Sequence, residues 1–136
     1  MSSSFRIFDI AGSAMAAQSV RLSTVASNLA NADAVSSTPE GAFKAHLPMF
    51  KTAPEVAGTQ TPGVRVTGVV ESQAPAEKRY EPGNPQADGE GFVYAPNVNV
   101  VEQMVDMISA SRSYQNNVDV MNTAKELALK TLTLGS

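Results

Sequence analysis

All eight prolines of this 136-residue chain fall between Pro39 and Pro96, so the first 38 and the last 40 residues lack the residue that a helix interior tolerates least. Seven of the nine glycines share that interval. Two uninterrupted termini flanking a Pro- and Gly-rich middle predict two long helices joined by loops and short extended segments.

In the first segment, residues 5–32, apolar side chains fall at Phe8, Ala11, Met15, Leu22, Val25 and Leu29, a 3,4 alternation broken only by Gln18. That spacing predicts one amphipathic helix of roughly 27 residues, about 40 Å long. Ala14, Ala16, Ala17, Ser19 and Ser23 give it slim flanks that admit close helical neighbours. In the last segment Asn97, with Glu102 near the first turn, opens a second helix that runs to Gly135, roughly 36 residues or about 54 Å. Its apolar positions, among them Val101, Met104, Val105, Ile108, Tyr114, Val118, Met121, Ala124, Ala128 and Leu132, form a wide and weakly hydrophobic stripe.

Between them, residues 64–71 alternate and are rich in Val, while residues 78–81 and 91–95 are short extended candidates separated by a turn-rich run from Pro82 to Gly91. Such a middle cannot supply a core for two helices of this length. The helices are therefore expected to lie against each other or against other molecules in an elongated subunit, and self-assembly is the default expectation.

Ten Lys and Arg against thirteen Asp and Glu leave a net charge of −3 and a pI near 5.0, which argues against a nucleic-acid partner. No segment reaches the roughly 20 apolar residues of a membrane span, and the N-terminus carries no cleavable-signal pattern. The chain has no cysteine and one histidine, His46, expected in a loop beside Leu47 and Pro48. Asp88 and Glu90 share a turn without the ligand series of a calcium loop. Glu102 and Asp106 share a helical face without the Glu-x-x-His partner of a carboxylate metal site. No phosphate loop, nucleophile elbow or dinucleotide fingerprint occurs. Neither an enzyme nor a cofactor is expected. Asn28, Asn116, Asn117 and Asn122 have two readings, as helix caps and solvent-facing positions or as polar residues that set register across subunit contacts.

Ser27-Asn-Leu-Ala-Asn-Ala-Asp33, at the end of the first helix, resembles the signature of the axial proteins of the bacterial flagellum, the rod, hook and hook-associated subunits. The likeness extends through Ser37-Thr-Pro-Glu-Gly41, Tyr80-Glu-Pro-Gly-Asn-Pro-Gln-Ala-Asp88, Gly91-Phe-Val-Tyr-Ala-Pro-Asn-Val-Asn-Val100 and the run from Val101 to Val118, where it is similar to proximal-rod subunits. Residues 43–67 stand outside it. Ala34-Val-Ser-Ser in place of the Thr-x-Gly-Phe turn of hook and distal-rod relatives favours the proximal rod.

The resemblance implies a mainly α fold, with long N- and C-terminal helices (segments 1–34 and 97–136) paired as an antiparallel coiled coil and a small irregular β and loop middle (35–96). It implies a rod subunit exported uncleaved through the flagellar type III apparatus to the periplasm. Its partners would be copies of itself, neighbouring rod proteins, and the junction with the inner-membrane ring and export gate, with no nucleic acid and no membrane insertion. The expected subunit contacts are Phe8, Met15, Leu22, Val25, Asn28, Leu29 and Asn31 on the first helix. On the second they are Val101, Met104, Ile108, Tyr114, Asn117, Val118, Met121 and Leu132. Leu22, Val25 and Leu29 are expected to pack on Val118, Met121 and Leu132, within one subunit or between neighbours. The export-signal candidate is Met1, Phe5, Ile7, Phe8 and Ile10. Long helices with so thin an apolar stripe are expected to stay disordered until they dock.

Overall fold

The computed structural model describes residues 2–54 and 62–135. Met1 of the export-signal candidate lies outside the described residues. In chain order the elements are α1 (Ser2–Ala30), β1 (His46–Ala53), β2 (Gly63–Glu71), β3 (Glu77–Tyr80), β4 (Phe92–Ala95) and α2 (Val100–Leu134). The fold is mainly α, with two paired helices around a small β middle, as expected.

Both helices end for local reasons. After α1 the chain tightens without glycine: the Ala32 N–H donates to the Leu29 carbonyl (3.3 Å), and the Asn31 side chain donates back to the Ser27 carbonyl (2.9 Å). At the start of α2 the cap is Asn99 rather than Asn97. Its Oδ1 accepts from the Glu102 N–H at 3.1 Å, the geometry of an N-cap bonding three residues on. Asn97 is withdrawn from capping because its side chain holds two other strands of backbone, described below. At the other end Gly135 follows Leu134, and its N–H donates to the Thr131 carbonyl at 3.0 Å.

The chain divides into two compact units, each drawing on both helices. One gathers Met1–Leu22, Pro48–Gly68 and Ile108–Ser136. Its interior is built from alanine: Ala11, Ala17, Ala53, Ala110 and Ala124 are buried. Side chains that small allow helices to approach to the near end of the usual 8–10 Å range. The Val64 N–H donates to Ser13 Oγ at 3.2 Å, tying β2 to α1.

The other unit gathers Ser23–Leu47 and Val69–Met107. The last turns of α1 and the first of α2 meet there through Asn28 and Gln103, so the helices run antiparallel. β3 and β4 pair antiparallel, with Arg79 opposite Val93, and Ser36 bridges to Tyr94 on the other side of β4. Val93 and Ala95 have no exposed surface, and Val93 and Asn28 are the largest fully buried side chains. With 6% aromatic residues and no Trp in the chain, the fully buried side chains are correspondingly small.

β1 is the element that sequence patterning missed. Pro48 and the mixed run His46-Leu-Pro-Met-Phe-Lys-Thr-Ala53 do not alternate, yet β1 pairs with β2. Two bonds give the direction: the Ser72 N–H to the Ala45 carbonyl (2.8 Å) and Thr67 Oγ1 to the Met49 carbonyl (3.2 Å) step oppositely along the chain, hence antiparallel. His46, expected in a loop, is the first residue of this strand.

Candidate functional site

The helix faces decide which side chains remain available to other molecules. On α2 the inward positions are Gln103, Met107, Ala110, Tyr114, Asn117, Met121 and Ala124, a strict 3,4 alternation in which each residue is buried or half-buried. The aliphatic cluster at the start of the same helix points the other way. Val101 is 71% exposed, Met104 52%, Val105 59% and Ile108 55%. The expected stripe that merged these residues with Tyr114, Val118 and Met121 therefore splits into two faces. The inward one is selected for small size and polarity, because the neighbouring helix presents Thr24, Val25 and Asn28 as its buried residues there.

On α1, Val25 and Asn28 are buried, while Phe8, Met15, Leu22, Leu29 and Asn31 are half-buried. Leu132 is 55% exposed, and Tyr114, Asn117, Val118 and Met121 are half-buried. The expected packing sets Leu22, Val25 and Leu29 against Val118, Met121 and Leu132, within one subunit or between neighbours; Val25 and Leu29 belong to the unit of Gln103, and Leu22, Val118, Met121 and Leu132 to the alanine-lined unit. At the N-terminus Phe5, Ile7 and Ile10 are 57%, 37% and 43% exposed.

Asn28 is not a solvent-facing position. Its side chain is 1% exposed and bonds within the chain. Nδ2 donates to the His46 carbonyl (2.9 Å) and to Gln103 Oε1 (3.0 Å), and Oδ1 accepts from the His46 N–H (2.8 Å). An asparagine side chain thus occupies the place of a strand neighbour, pairing with both backbone groups of the first residue of β1. Asn97 repeats the device: Oδ1 accepts from the Ala45 N–H (2.7 Å) and Nδ2 donates to the Ala74 carbonyl (2.7 Å). Together they clasp the base of the β1–β2 ribbon to the helix ends. Asn117 instead donates to the Ser113 carbonyl of its own helix at 2.8 Å.

A few other ionisable groups have structural work. Asp88 Oδ1 accepts from the Phe92 and Glu90 N–H groups, both at 2.9 Å. The Phe92 amide above all holds this carboxyl below its usual range; burial opposes it, and the Glu90 amide adds to the lowering. Arg79, bonded to Glu77 at 3.1 Å, likewise lowers the Glu77 carboxyl. The His46 imidazole lies 3.8 Å from Glu71 and against the Phe43 ring. Among the described residues no three His, Asp or Glu side chains gather as a metal site.

Comparison with known proteins agrees with this geometry. The family model described as flagella basal body rod protein matches residues 8–36, and that described as flagellar basal body rod FlgEFG protein C-terminal matches residues 90–134. The chain is 56% identical over 131 residues to the flagellar basal-body rod protein FlgC of Salmonella typhimurium, covering 95% of this chain and 96% of that one. It is 53% identical over 129 residues to the FlgC of Yersinia enterocolitica, with the same coverage. To the FlgC of Buchnera aphidicola from Acyrthosiphon pisum it is 39% identical over 130 residues, covering 94% and 95%. With identity at this level along nearly the whole length of both partners, the chain belongs to the FlgC family of flagellar basal-body rod proteins.

Proposed function

We propose that the chain is a structural subunit of the proximal rod of the flagellar basal body, an architectural part rather than a catalyst. Family membership supports the role, and the outward cluster of Val101, Met104, Val105 and Ile108 is the observation that gives it a physical basis. Four aliphatic side chains left more than half exposed on one helix face give about 1 kcal/mol each when a neighbour covers them. That is worth little to a solitary chain and much to one fixed among many neighbours. In this reading the chain travels uncleaved through the type III export apparatus and joins the periplasmic rod. There it meets copies of itself, adjoining rod proteins and the junction with the inner-membrane ring, and torque passes through many contacts loaded in parallel. Phe5, Ile7, Phe8 and Ile10, with Met1, remain the candidate export signal.

The test is replacement of FlgC in Salmonella typhimurium. Cells lacking their own protein should regain swimming when supplied with this chain, and the chain should be present in basal bodies purified from them. Export of the chain without its appearance in basal bodies would overturn the proposal. Met104→Asp and Ile108→Asp, on the outward cluster, should leave the exported amount unchanged and block rod assembly; equal loss of secretion in both would assign these residues to folding or targeting instead.

A further inference from the structure

The turn from Asp88 to Gly91 carries chemistry that the rod-subunit reading leaves unused. Of the Asp and Asn residues in the chain, Asp88 alone is followed by glycine. With no side chain on Gly89 to crowd it, the Gly89 nitrogen can attack Asp88 Cγ. A C–N bond forms, one carboxyl oxygen leaves as water, taking the amide proton and one proton from solvent, and a five-membered succinimide closes. Water then reopens the ring at either carbonyl. Opening at the backbone carbonyl leaves an isoaspartyl residue, in which the main chain runs through Cβ and the former main-chain carbonyl is the free carboxylate. No mass is gained or lost over the cycle.

In the folded chain Asp88 is held against every step of that reaction. Its N–H donates to the Phe92 carbonyl (2.8 Å), and its carbonyl accepts from the Gly91 N–H (3.1 Å). Oδ1 accepts from the Glu90 and Phe92 N–H groups, both at 2.9 Å. Four bonds fix backbone and carboxyl together, so Cγ meets the Gly89 nitrogen in a bonding geometry only when the turn opens. The carboxyl, held below its usual range, is also poor in the protonated form from which water leaves most readily.

We propose that the Asp88-Gly89 pair is a site of spontaneous isoaspartate formation, suppressed while the β3–β4 turn is closed and reactive in chains whose turn is open. The product excludes itself from the fold. The added main-chain carbon moves the residue 88 carbonyl and carboxylate away from the places these four bonds require, so an isomerised chain cannot close the same turn.

For the test, the full chain is incubated at neutral pH in buffer and in guanidinium chloride. Isoaspartate is measured by methylation with an isoaspartyl methyltransferase and located by fragmentation mass spectrometry. Residue 88 should be the dominant position in denaturant. It should react there at least about tenfold faster than in buffer, the factor set by about 1.4 kcal/mol of opening free energy. Gly91→Ala, which strains the turn at φ = 88° without changing the reacting atoms, should raise the rate in buffer and leave that in denaturant unchanged. Gly89→Ala has open space around an added Cβ, so it should keep the fold and lose most of the product in denaturant. Equal rates for the unaltered chain in the two solvents, or a dominant position other than residue 88, would overturn the proposal. So would a Gly91→Ala rate in buffer no higher than that of the unaltered chain, or undiminished product from Gly89→Ala in denaturant.

Discussion

Removing the Asn28 side chain tests the fold at its most concentrated point. Asn28→Ala deletes three hydrogen bonds at once. Gln103 is only 8% exposed, so its stranded carbonyl oxygen costs about 1–3 kcal/mol. The two His46 backbone groups are half-buried, and water replaces part of what they lose, leaving roughly 0.5 kcal/mol each. The sum is about 3 kcal/mol, against a total stability on the order of 5–15 kcal/mol for a chain of this size. The Ala45 amide is the reporter, because its own bond to Asn97 survives the substitution. Its hydrogen-exchange protection should fall by roughly two powers of ten, since 1.4 kcal/mol is a factor of ten. Asn28→Asp carries the argument further. One carboxylate oxygen can still accept from His46, but the other faces the His46 carbonyl and Gln103 Oε1, two acceptors with no donor between them. At pH 7 this variant should be less stable than Asn28→Ala. Its carboxyl pKa is raised in the folded state, so the native form binds the extra proton and stability should recover as pH falls toward about 4. An Asn28→Ala chain that loses less than about 0.5 kcal/mol, or an Asn28→Asp chain equal to it at pH 7, would refute the clasp.

Three further perturbations have defined signs. Gly91 has φ = 88°, and an added Cβ would lie 3.0 Å from Tyr80 Cε2 and 3.2 Å from Pro82 Cβ, so Gly91→Ala should destabilise the β3–β4 turn by about 1–2 kcal/mol, measured as a shift in urea midpoint. Gly12 lies inside α1 with nothing within 4 Å of an added Cβ, so Gly12→Ala should stabilise the free chain by about 0.5–1 kcal/mol. A loss of helicity measured by circular dichroism would contradict that. The lowered Asp88 carboxyl favours the fold above the unfolded pKa of about 3.9 and loses that contribution as pH falls through its lower folded value, so the protection factor of the Phe92 amide, corrected for intrinsic exchange, should fall only at strongly acidic pH and stay constant from pH 5 to 8.

Backbone punctuation made the helices legible. Proline excluded from both termini, with a single glycine inside α1, left helix as the one regular structure available over those lengths, and β2, β3 and β4 announced themselves through alternation and flanking turns. β1 was not legible, because its pairing comes from tertiary bonds at Ala45 and His46 supplied by Asn97 and Asn28 from distant positions. The same gap hid Gln103, which has neither apolar character nor any recognisable motif. Its one signal is its place on the 3,4 alternation with Met107, Ala110 and Tyr114, visible only when polar residues are allowed onto an inward face. The single apolar stripe read from the sequence did not separate Val101, Met104 and Ile108, which are exposed, from the inward face, which is chosen for how closely two helices approach.

That division of labour between faces has a mechanical consequence. Alanine at Ala11, Ala17, Ala110 and Ala124 gives close approach but little apolar area, so the helix pair is held in register by directional bonds such as those of Asn28 and only weakly by hydrophobic burial. Such a pair is specific without being very stable, and it separates without having to expose a large core. Had Val101, Met104 and Ile108 turned inward, the single chain would have gained their burial and kept nothing to offer a neighbour. With them outside, apolar burial is deferred until neighbours arrive, and it accumulates with each surrounding subunit. Stiffness is then a property of the packed array more than of the single chain.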